Sequence, residues 1–236
     1  MKIKEHLLYE DDHLVAINKP SGILTIPDRM GNVSLKNYLQ RAYPEIFTVH
    51  RLDKDTSGVV VFAKNEGAHK ELSQLFEGRE VEKKYLGLVL GNFADEKGTI
   101  DEGIMEHPVI KGKMVVNKKG KPSLTDYEVI EKFRFFSWVQ FQIHTGRTHQ
   151  IRVHMKHAGH PVVCDETYGD GKPVLLSTLK KKFNLSKNEE EERPILGRLA
   201  LHSHQLKFKL ANRDYDLEAP LPKDLKACLQ QLRKVG

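Results

Sequence analysis

The stretch VHRLDKDTSGVVVFAKN, Val49–Asn65, is the part of the sequence that decides how the chain folds. Its polar half, with five charged or titratable side chains between His50 and Asp55, runs directly into the apolar residues Val59–Ala63. Five apolar residues in succession predict a buried strand. Asp53 would then lie at the edge of a rigid scaffold, where a side chain can be held in place for function.

The residue types around Asp53 leave two interpretations open. The carboxylate is either a catalytic group or one half of a surface ion pair with Arg51 in the loop before the strand. A calcium loop is disfavoured, although Asp53, Asp55 and Ser57 have the spacing of its first ligands. The twelfth position of such a loop would be Lys64, where a glutamate is required.

Short strands and capped helices are predicted on both sides of this stretch. His6–Glu10 and Leu14–Ile17 are typical of two strands about an acidic turn. Ser34 and Asn65 are each placed to cap the start of a helix, and Gly78 follows the second helix. That second helix is expected to pack on the strand before it.

The rest of the chain predicts more strands than helices. Tyr85–Leu90 is mostly apolar at both odd and even positions, so both faces of a strand here would be apolar, which indicates a buried strand. Further strands are predicted at Leu124–Ile130, Phe135–Ile143, Leu199–Leu210 and Tyr215–Leu217, and helices from Thr148 to Ala158 and around Leu225, Leu229 and Leu232. Because strands that follow one another directly tend to pair antiparallel, the predicted fold is α+β with a mixed or mainly antiparallel sheet.

Composition limits the class of protein and its partners. The 236 residues and 39% hydrophobic content suit one large domain or two small lobes, and a net charge of +6 suits a polyanionic partner. Cys164 and Cys228 have neither a metal-type nor a redox-type spacing, which indicates a reducing compartment. No run approaches the roughly 18 apolar residues of a membrane span, and the charged start is unlike a signal peptide. We expect a cytoplasmic protein that is not exported.

A second polar cluster, HTGRTHQIRVHMKHAGH, lies at His144–His160. On the predicted helix, His149, Arg152 and Lys156 share one face, and with Arg147 they would form a basic surface suited to phosphates. Zinc is disfavoured because the histidines have no acidic or cysteine partners at ligand spacing. The alternative is a helix that is merely polar on its outer face.

Three further segments carry charge or an aromatic group. In the run Glu82–Tyr85, the tyrosine is either a core aromatic with its hydroxyl at the edge or a catalytic group. His107–Pro122 holds five lysines and no acid, which indicates a mobile hairpin suited to phosphate contact. Gly169–Arg193 is polar and indicates a solvated excursion with a short helix.

Five short motifs follow one another along the chain: NKPSGIL at Asn18–Leu24, HRLDKDTSG at His50–Gly58, KKYLG at Lys83–Gly87, GRTHQIRVH at Gly146–His154 and RLALHSHQLKF at Arg198–Phe208. In the same order, they resemble the early loop, the active-site motif, the Tyr motif, the Arg motif and the last motif of the RluA-type pseudouridine synthases. The resemblance extends over most of the chain.

The resemblance implies that uridine in RNA is converted to its C-glycoside isomer without a cofactor or a metal. It makes Asp53 the catalytic aspartate, either as a nucleophile on the nucleotide or as a base on the ribose. It pairs Arg152 with Asp53, which would keep the carboxylate charged and oriented, and it stacks Tyr85 on the target base. The target nucleotide has to be flipped out, and Arg51 would help to occupy the vacated space.

The resemblance also implies one α+β catalytic domain, here 1–236, with a long mixed sheet flanked by helices and a basic cleft. The residues that we expect to bind RNA beside the catalytic ones are His50, Lys83, Arg147 and His149. Many family members carry a small RNA-binding domain before the core, whereas here the core begins within the first ten residues. RNA recognition would therefore come from the core and from insertions such as Lys111–Lys121 and the polar segment at about 170–193.

Two other functions compete with this interpretation. An idle RNA-binding or ribosome-assembly protein on the same fold is disfavoured because the Asp, Tyr and Arg positions are intact. A glycoside-cleaving enzyme of another type needs a second carboxylate across the scissile bond, and Asp55 is the only near candidate. We therefore expect a monomeric, cytoplasmic isomerase that acts on rRNA or tRNA and needs no cofactor, metal or membrane.

Overall fold

A computed structural model of the protein describes residues 2–180 and 191–235, which divide into two compact units. The first unit comprises Met1–Leu86, Phe141–Thr148 and Leu201–Pro220, and the second comprises Gly87–Gln140, His149–Ala200 and Leu221–Gly236. The single domain 1–236 stays a prediction. So does the insertion at about 170–193, whose residues 181–190 lie outside the described residues.

Strands dominate the described part of the chain. The strands are β1 (Leu7–Glu10), β2 (Leu14–Lys19), β3 (Phe47–Thr48), β4 (Ser57–Ala63), β5 (Glu82–Leu90), β6 (Lys97–Asp101), β7 (Ile104–Glu106), β8 (Met114–Val116), β9 (Leu124–Lys132), β10 (Phe136–Ile143), β11 (Leu201–Leu210) and β12 (Arg213–Glu218). The helices are α1 (Leu35–Gln40), α2 (Glu66–Glu77), α3 (Gln150–His157), α4 (Leu176–Leu179) and α5 (Lys223–Val235), and a short 3₁₀ helix spans Ile3–His6.

The sheet of the first unit has the strand order β1-β2-β4-β11-β5-β10, with β3 beside β4 and β12 beside β11. The pairs β1–β2, β2–β4, β3–β4 and β11–β12 are antiparallel, and β4–β11 is parallel. Every residue of β4 is buried, as its apolar run predicts. The long, mixed and mainly antiparallel sheet is therefore confirmed.

Strands β5 and β10 also contribute residues to the second unit, where the order is β5-β10-β9-β6. The pair β6–β9 is antiparallel, and β7 and β8 form a separate two-stranded sheet. The turn of this small hairpin and its second strand, β8, lie within the lysine-rich segment His107–Pro122, and the turn is exposed. Across residues 2–180 and 191–235, none of the helices has the length and apolar character that a bilayer crossing requires.

Helix α2 covers one face of the first unit's sheet. Ala68 and Leu72 of this helix belong to the same buried cluster as Val59 and Val61 of β4 and Leu206 of β11. The helix begins as predicted, because the Asn65 side chain accepts a hydrogen bond from the Ala68 N–H at 2.8 Å. This packing fixes β4, and with it the loop that carries Asp53.

Helix α1 also begins at its predicted cap. The Ser34 hydroxyl accepts a hydrogen bond from the Asn37 N–H at 3.4 Å, and the Asn37 side chain accepts one from the Ser34 N–H at 3.0 Å. The two residues form a reciprocal capping box, which satisfies two backbone donors at the helix start. Ser34 itself is fully buried.

Helix α3 starts later and is more deeply buried than its sequence pattern indicates. The predicted cap at Thr148 is wrong, because the helix begins at Gln150 and follows His149, which has a left-handed backbone (φ 57°) and no capping side-chain bond. Lys156 is exposed, but Arg152 is only 8% exposed. The predicted outer basic face is therefore wrong for Arg152, since a buried partner draws this side chain inward.

Candidate active site

The loop that carries Asp53 is held by a lysine from the end of β2. Lys19 has no exposed surface, and its ammonium donates hydrogen bonds to the carbonyl oxygens of Pro20 (3.1 Å), Ile23 (2.7 Å) and Lys54 (2.8 Å). Three acceptors compensate for the cost of burying this side chain. Lys19 therefore ties the NKPSGIL segment to the residue that follows Asp53.

Ser21 of this segment and Thr25, which follows it directly, hold both ends of the loop. The Thr25 hydroxyl donates to the Leu52 carbonyl at 2.9 Å and accepts from the Leu52 N–H at 3.1 Å. The Ser21 hydroxyl donates to the Asp55 carbonyl at 2.7 Å. The backbone on either side of Asp53 is thus fixed by hydrogen bonds, which is the support that a precisely positioned functional group needs.

Strands β4 and β11 approach closely just after this loop. Their parallel register sets Ser57 beside His202 and Gly58 beside Ser203. Gly58 has φ 117°, and a Cβ atom there would lie 2.0 Å from the Ser203 carbonyl oxygen, so only glycine fits. The His202 imidazole lies between the Ser57 hydroxyl (2.9 Å) and the Ala219 carbonyl (3.1 Å). Because the carbonyl can only accept, we assign the ring proton to Nε2 and let Ser57 donate to Nδ1.

Tyr85 of β5 joins this junction through its hydroxyl, which is hydrogen bonded to Ser203. Its side chain is 8% exposed. Burial, with the negative charge of Asp53 acting in the same direction, raises the pKa of Tyr85 to about 12 against the opposite effect of the Ser203 hydrogen bond. The phenol is therefore protonated at neutral pH, and it lies near enough to Asp53 to respond to its charge.

Tyr85 also lines a basic cleft of about 670 Å³ in the first unit. Residues from four segments form its walls: Thr48, Val49, His50, Arg51, Ser73, Phe76, Glu77, Arg79, Lys83, Tyr85, Ile143, His144, Thr145, Gly146 and Arg147. The arginines and the lysine outnumber the carboxylate, Glu77. A concave surface with this excess of positive charge concentrates a polyanion.

His50 is a neutral part of the cleft wall. Its Nε2 accepts a hydrogen bond from the Val61 N–H at 3.0 Å, and its ring stacks on Phe76 with 4.5 Å between ring centroids. Burial lowers the pKa of His50 to about 3, and the positive charge of Lys83 lowers it further. His50 therefore fastens the loop to β4 without carrying charge, and its contact with RNA stays a prediction.

The other residues predicted to bind RNA divide between the two units. Arg51 and Arg147 line the cleft, and so does Lys83, which is only 6% exposed. His149 belongs to the second unit, where its Nδ1 lies 2.8 Å from the Tyr168 hydroxyl. The geometry of the cleft thus brings three of these side chains to one surface.

Arg152 lies in the second unit and forms a two-pronged ion pair with Asp165. Its Nε and Nη2 donate to the two carboxylate oxygens at 2.7 and 2.9 Å, and Asp165 also accepts from the Thr167 and Tyr168 N–H groups. Burial alone would raise the pKa of Asp165, but the hydrogen bonds and charge of Arg152 hold it below its ordinary value. The pairing of Arg152 with Asp53, which belongs to the first unit, stays a prediction.

Sequence reasoning missed three residues that contact the Asp53 loop, Tyr85 or Arg152. Lys19 and Ser203 stand inside motifs that were recognised, but the pattern gave neither a role. Asp165 stands outside every recognised motif, and only its acidic type among apolar neighbours, VVCDE, marks it as a buried charge that needs a partner.

No metal site is formed by the described residues, since no three or more His, Cys, Asp or Glu side chains among them come together as ligands. Both cysteines are buried thiols. Burial raises the pKa of Cys164 to about 11 and that of Cys228 to about 12, so both are protonated at neutral pH. Neither has the character of a reactive nucleophile.

Comparison with known proteins identifies the family. The sequence profile of a family described as RNA pseudouridylate synthase matches residues 13–157, which is more than half of the chain. The chain belongs to this family. Pseudouridylate synthases isomerise uridine to pseudouridine in RNA.

Relatives in this family align with nearly the whole chain. The ribosomal large subunit pseudouridine synthase D of Nitrosomonas europaea is 38% identical over 239 residues, which cover 97% of this chain and 65% of that protein. The ribosomal large subunit pseudouridine synthase C of Escherichia coli (strain K12) is 36% identical over 234 residues, which cover 96% and 70%. The chain therefore spans about two thirds of the length of these pseudouridine synthases.

Solved structures support the same conclusion about the fold. Human RNA pseudouridylate synthase domain containing 4 has a TM-score of 0.77 and 27% identity, with 98% of this chain and 94% of that chain covered. Human RNA pseudouridylate synthase domain containing 1 has a TM-score of 0.71 and 28% identity, with coverages of 97% and 94%. The predicted α+β, pseudouridine-synthase-like fold is confirmed.

Proposed function

We propose that this chain converts uridine to pseudouridine in RNA and that ribosomal RNA of the large subunit is its substrate class. One observation carries the proposal: Tyr85 lines a basic cleft together with His50 and Arg51 of the loop that carries Asp53. The names of the relatives favour rRNA over tRNA, which the sequence alone leaves equally open.

Asp53 is the group to which we assign the chemistry. It attacks the nucleotide covalently or acts as a base on the ribose, and the bond between the uracil N1 and the ribose C1′ breaks. The uracil then rotates, a bond forms between its C5 and C1′, the C5 proton leaves, and N1 takes up a proton, so that the product is an isomer of uridine. The loop around Asp53, braced by Lys19, Thr25 and Ser21, supports this role because it limits the movement of the carboxylate.

Tyr85 supplies a flat and uncharged surface to the base in this proposal. A pKa of about 12 keeps the phenol neutral in the free protein, and burial fixes the ring. A planar uracil that has left the sugar can stack on such a ring while it rotates. Because this chemistry needs access to the glycosidic bond, the target nucleotide is flipped out of its helix.

Charged residues complete the proposed site. Arg152 pairs with Asp53 and orients its carboxylate, and the bidentate ion pair of Arg152 with Asp165 supports that role by fixing the guanidinium. Arg51 is exposed at the cleft and helps to occupy the space that the flipped nucleotide leaves. His50, Lys83, Arg147 and His149 bind the RNA around the target.

The wider assignments belong to the same proposal. The chain acts as one catalytic domain, 1–236, and as a monomer, and it needs no cofactor or metal. It acts in the cytoplasm, which the two free cysteines and the rRNA-modifying relatives support. The polar segment at about 170–193 contributes to RNA recognition.

Mapping pseudouridine in total rRNA and tRNA tests this function. Cells that lack the gene should lose one or a few pseudouridines in large-subunit rRNA, and the gene supplied on a plasmid should restore them. An unchanged pseudouridine map in rRNA would contradict the substrate class, and an unchanged map in both RNAs would contradict the activity.

A further inference from the structure

Lys83 is the most deeply buried cation of the cleft. Its side chain is 6% exposed, whereas Arg51 and Arg79 are exposed and Arg147 is half-buried. No hydrogen bond or ion pair joins its ammonium to any of residues 2–180 and 191–235. Burying a charged group without a partner is costly, so proteins keep such groups where a ligand or an ion completes them.

The surroundings of Lys83 favour an anion. Its ammonium lies 6.0 Å from the centroid of the Phe76 ring, which offers only a weak attraction. Burial lowers the pKa of Lys83, and the neighbouring positive charge of Arg79 lowers it further. A negative group bound between Lys83 and Arg79 would relieve both effects at once.

Arg79 is held at this place by the end of α2. It has a left-handed backbone with φ 63°, a conformation that glycine adopts more readily, although Gly78 directly precedes it with φ −70°. The Glu80 N–H donates to the Leu75 carbonyl at 2.9 Å and closes this turn. This turn at the end of α2 places Arg79 on the wall of the cleft that Lys83 also lines.

Thr48 adds an unused hydroxyl to the same wall. Its Oγ1 is buried and finds no hydrogen-bond partner within the described part of the chain. It lines the cleft together with Lys83 and Arg79. A buried hydroxyl without a partner is rare in folded proteins and is satisfied when a bound ligand accepts its proton.

We propose that Lys83, with Arg79 and Thr48, binds one backbone phosphate of the RNA deep in the cleft. Lys83 and Tyr85 are two residues apart on β5, so they share a face about 6.6 Å apart along the strand. The bound phosphate is therefore one that flanks the nucleotide stacked on Tyr85. This identification of the anion rests on the proposed function, whereas the need for an anion rests on the unpaired charge alone.

Lys84 provides a matched control on the neighbouring position of the same strand. It lies on the opposite face of β5, and its ammonium pairs with Glu82 at 2.8 Å. Its charge is therefore already neutralised by the protein. Lys83→Met and Lys84→Met remove the same charge from adjacent residues, and the phosphate site predicts different results for the two.

Affinity for a single-stranded, uridine-containing RNA oligonucleotide, measured with the full chain over roughly 50 to 300 mM KCl, tests the site. The slope of log K against log salt is negative, and Lys83→Met should make it less steep by about 0.7, the value of one phosphate contact. The same variant should bind about fivefold more weakly at 0.1 M salt. Lys84→Met should leave the slope unchanged.

Thermal unfolding without RNA separates this site from a structural role. Removal of an unpaired buried charge should raise the melting temperature of Lys83→Met by about 1 °C or more. A lower melting temperature together with an unchanged salt slope would overturn the proposal and make Lys83 a packing residue. If Lys83→Met does not fold, Lys83→Arg provides the test, because it keeps the charge and should keep the wild-type slope. A slope that is less steep by about 0.7 in Lys83→Arg would overturn the proposal.

Oligonucleotides with one neutral methylphosphonate linkage locate the phosphate. Wild-type protein should lose about fivefold in affinity at one linkage beside the uridine, and Lys83→Met should not distinguish that linkage from the others. Equal losses in both proteins would overturn the site. If wild-type protein forms no pseudouridine but the Lys83-dependent linkage is found, the proposed function fails and the phosphate site stands.

Discussion

Asp165→Asn is expected to destabilise the protein by about 3 kcal/mol. Asparagine keeps an oxygen that can accept from the Thr167 and Tyr168 N–H groups, so the backbone turn is preserved. It removes the charge and one of the two acceptors of Arg152, whose side chain is 9% exposed. The loss therefore measures what the Asp165 carboxylate contributes to the burial of this guanidinium.

The magnitude follows from the burial of both partners. Removal of one partner of a buried ion pair costs about 3–5 kcal/mol, and the retained oxygen of asparagine favours the lower end. Asp224→Asn is the matched control, because Arg198 forms the same bidentate ion pair with Asp224. Its Nε and Nη2 donate to the two carboxylate oxygens at 2.7 and 2.8 Å. The side chains of that pair are 18% and 39% exposed, so its loss should cost only about 1 kcal/mol.

Urea unfolding of wild type, Asp165→Asn and Asp224→Asn at pH 7, followed by circular dichroism, gives the loss in free energy of unfolding for each variant. The reasoning predicts that Asp165→Asn is less stable than Asp224→Asn by about 2 kcal/mol. Equal losses in the two variants, or a loss below about 1 kcal/mol for Asp165→Asn, would refute it.

The stability gap between wild type and Asp165→Asn should also depend on pH. The pKa of Asp165 is lowered in the folded protein, so the unfolded chain binds its proton first as the pH falls. The contribution of this carboxylate is complete above the unfolded pKa of about 3.9 and is lost as the pH falls through the lower folded pKa. The gap should be constant from about pH 5 to 8 and shrink below about pH 4; a gap that grows in acid would contradict this sign.

Further predictions concern the loop and strands around the candidate site. Gly58→Ala should lower the free energy of unfolding in urea by on the order of 4 kcal/mol or prevent folding, because its Cβ would lie 2.0 Å from the Ser203 carbonyl oxygen. Gly67→Ala, on the exposed start of α2, should instead raise the free energy of unfolding by about 0.5 kcal/mol. Lys19→Met should cost about 3 kcal/mol and lower turnover at least about tenfold, because three carbonyls lose their donor; wild-type turnover would show that this brace is dispensable. Since the pKa of His50 is about 3 in the folded protein, its imidazole NMR signals should not shift between about pH 8 and 5, and a midpoint near 6.5 would contradict its burial.

Local chemistry was sufficient to predict the elements that carry the site. The apolar run Val59–Ala63 gave a fully buried strand, and Ser34 and Asn65 cap the helices that their side chains suit. The strand is marked by an unbroken apolar run, and each cap rests on a contact between residues three positions apart. Such contacts can be read from a short window of sequence.

Helix α3 shows where local patterns fail. Its spacing indicated an outer basic face, yet Arg152 turns inward because Asp165, thirteen positions later, meets it inside the second unit. The start at Gln150 depends on the left-handed His149, whose conformation no propensity of histidine predicts. Burial of a charged side chain is decided by its partner, and the partner is set by the tertiary fold.

The candidate site was found from its motifs, while its support was not. Asp53 and Tyr85 stood out by residue type and by family resemblance. Lys19, which holds the loop through a carbonyl 35 positions away, and Ser203, which meets the Tyr85 hydroxyl, are evident only once strands distant in sequence are neighbours. Polar residues that bond to backbone atoms far away in the sequence leave no spacing that a sequence pattern can detect.

Asp53→Asn tests the central claim most directly. Uridine-containing rRNA with tritium at C5 releases the label when the new carbon–carbon bond forms, so release from purified protein counts product. We predict that Asp53→Asn releases no label above background while binding RNA within a few-fold of wild type, and that Asp55→Asn, whose side chain is exposed two residues away, retains the wild-type rate. Wild-type release of tritium by Asp53→Asn would contradict the account.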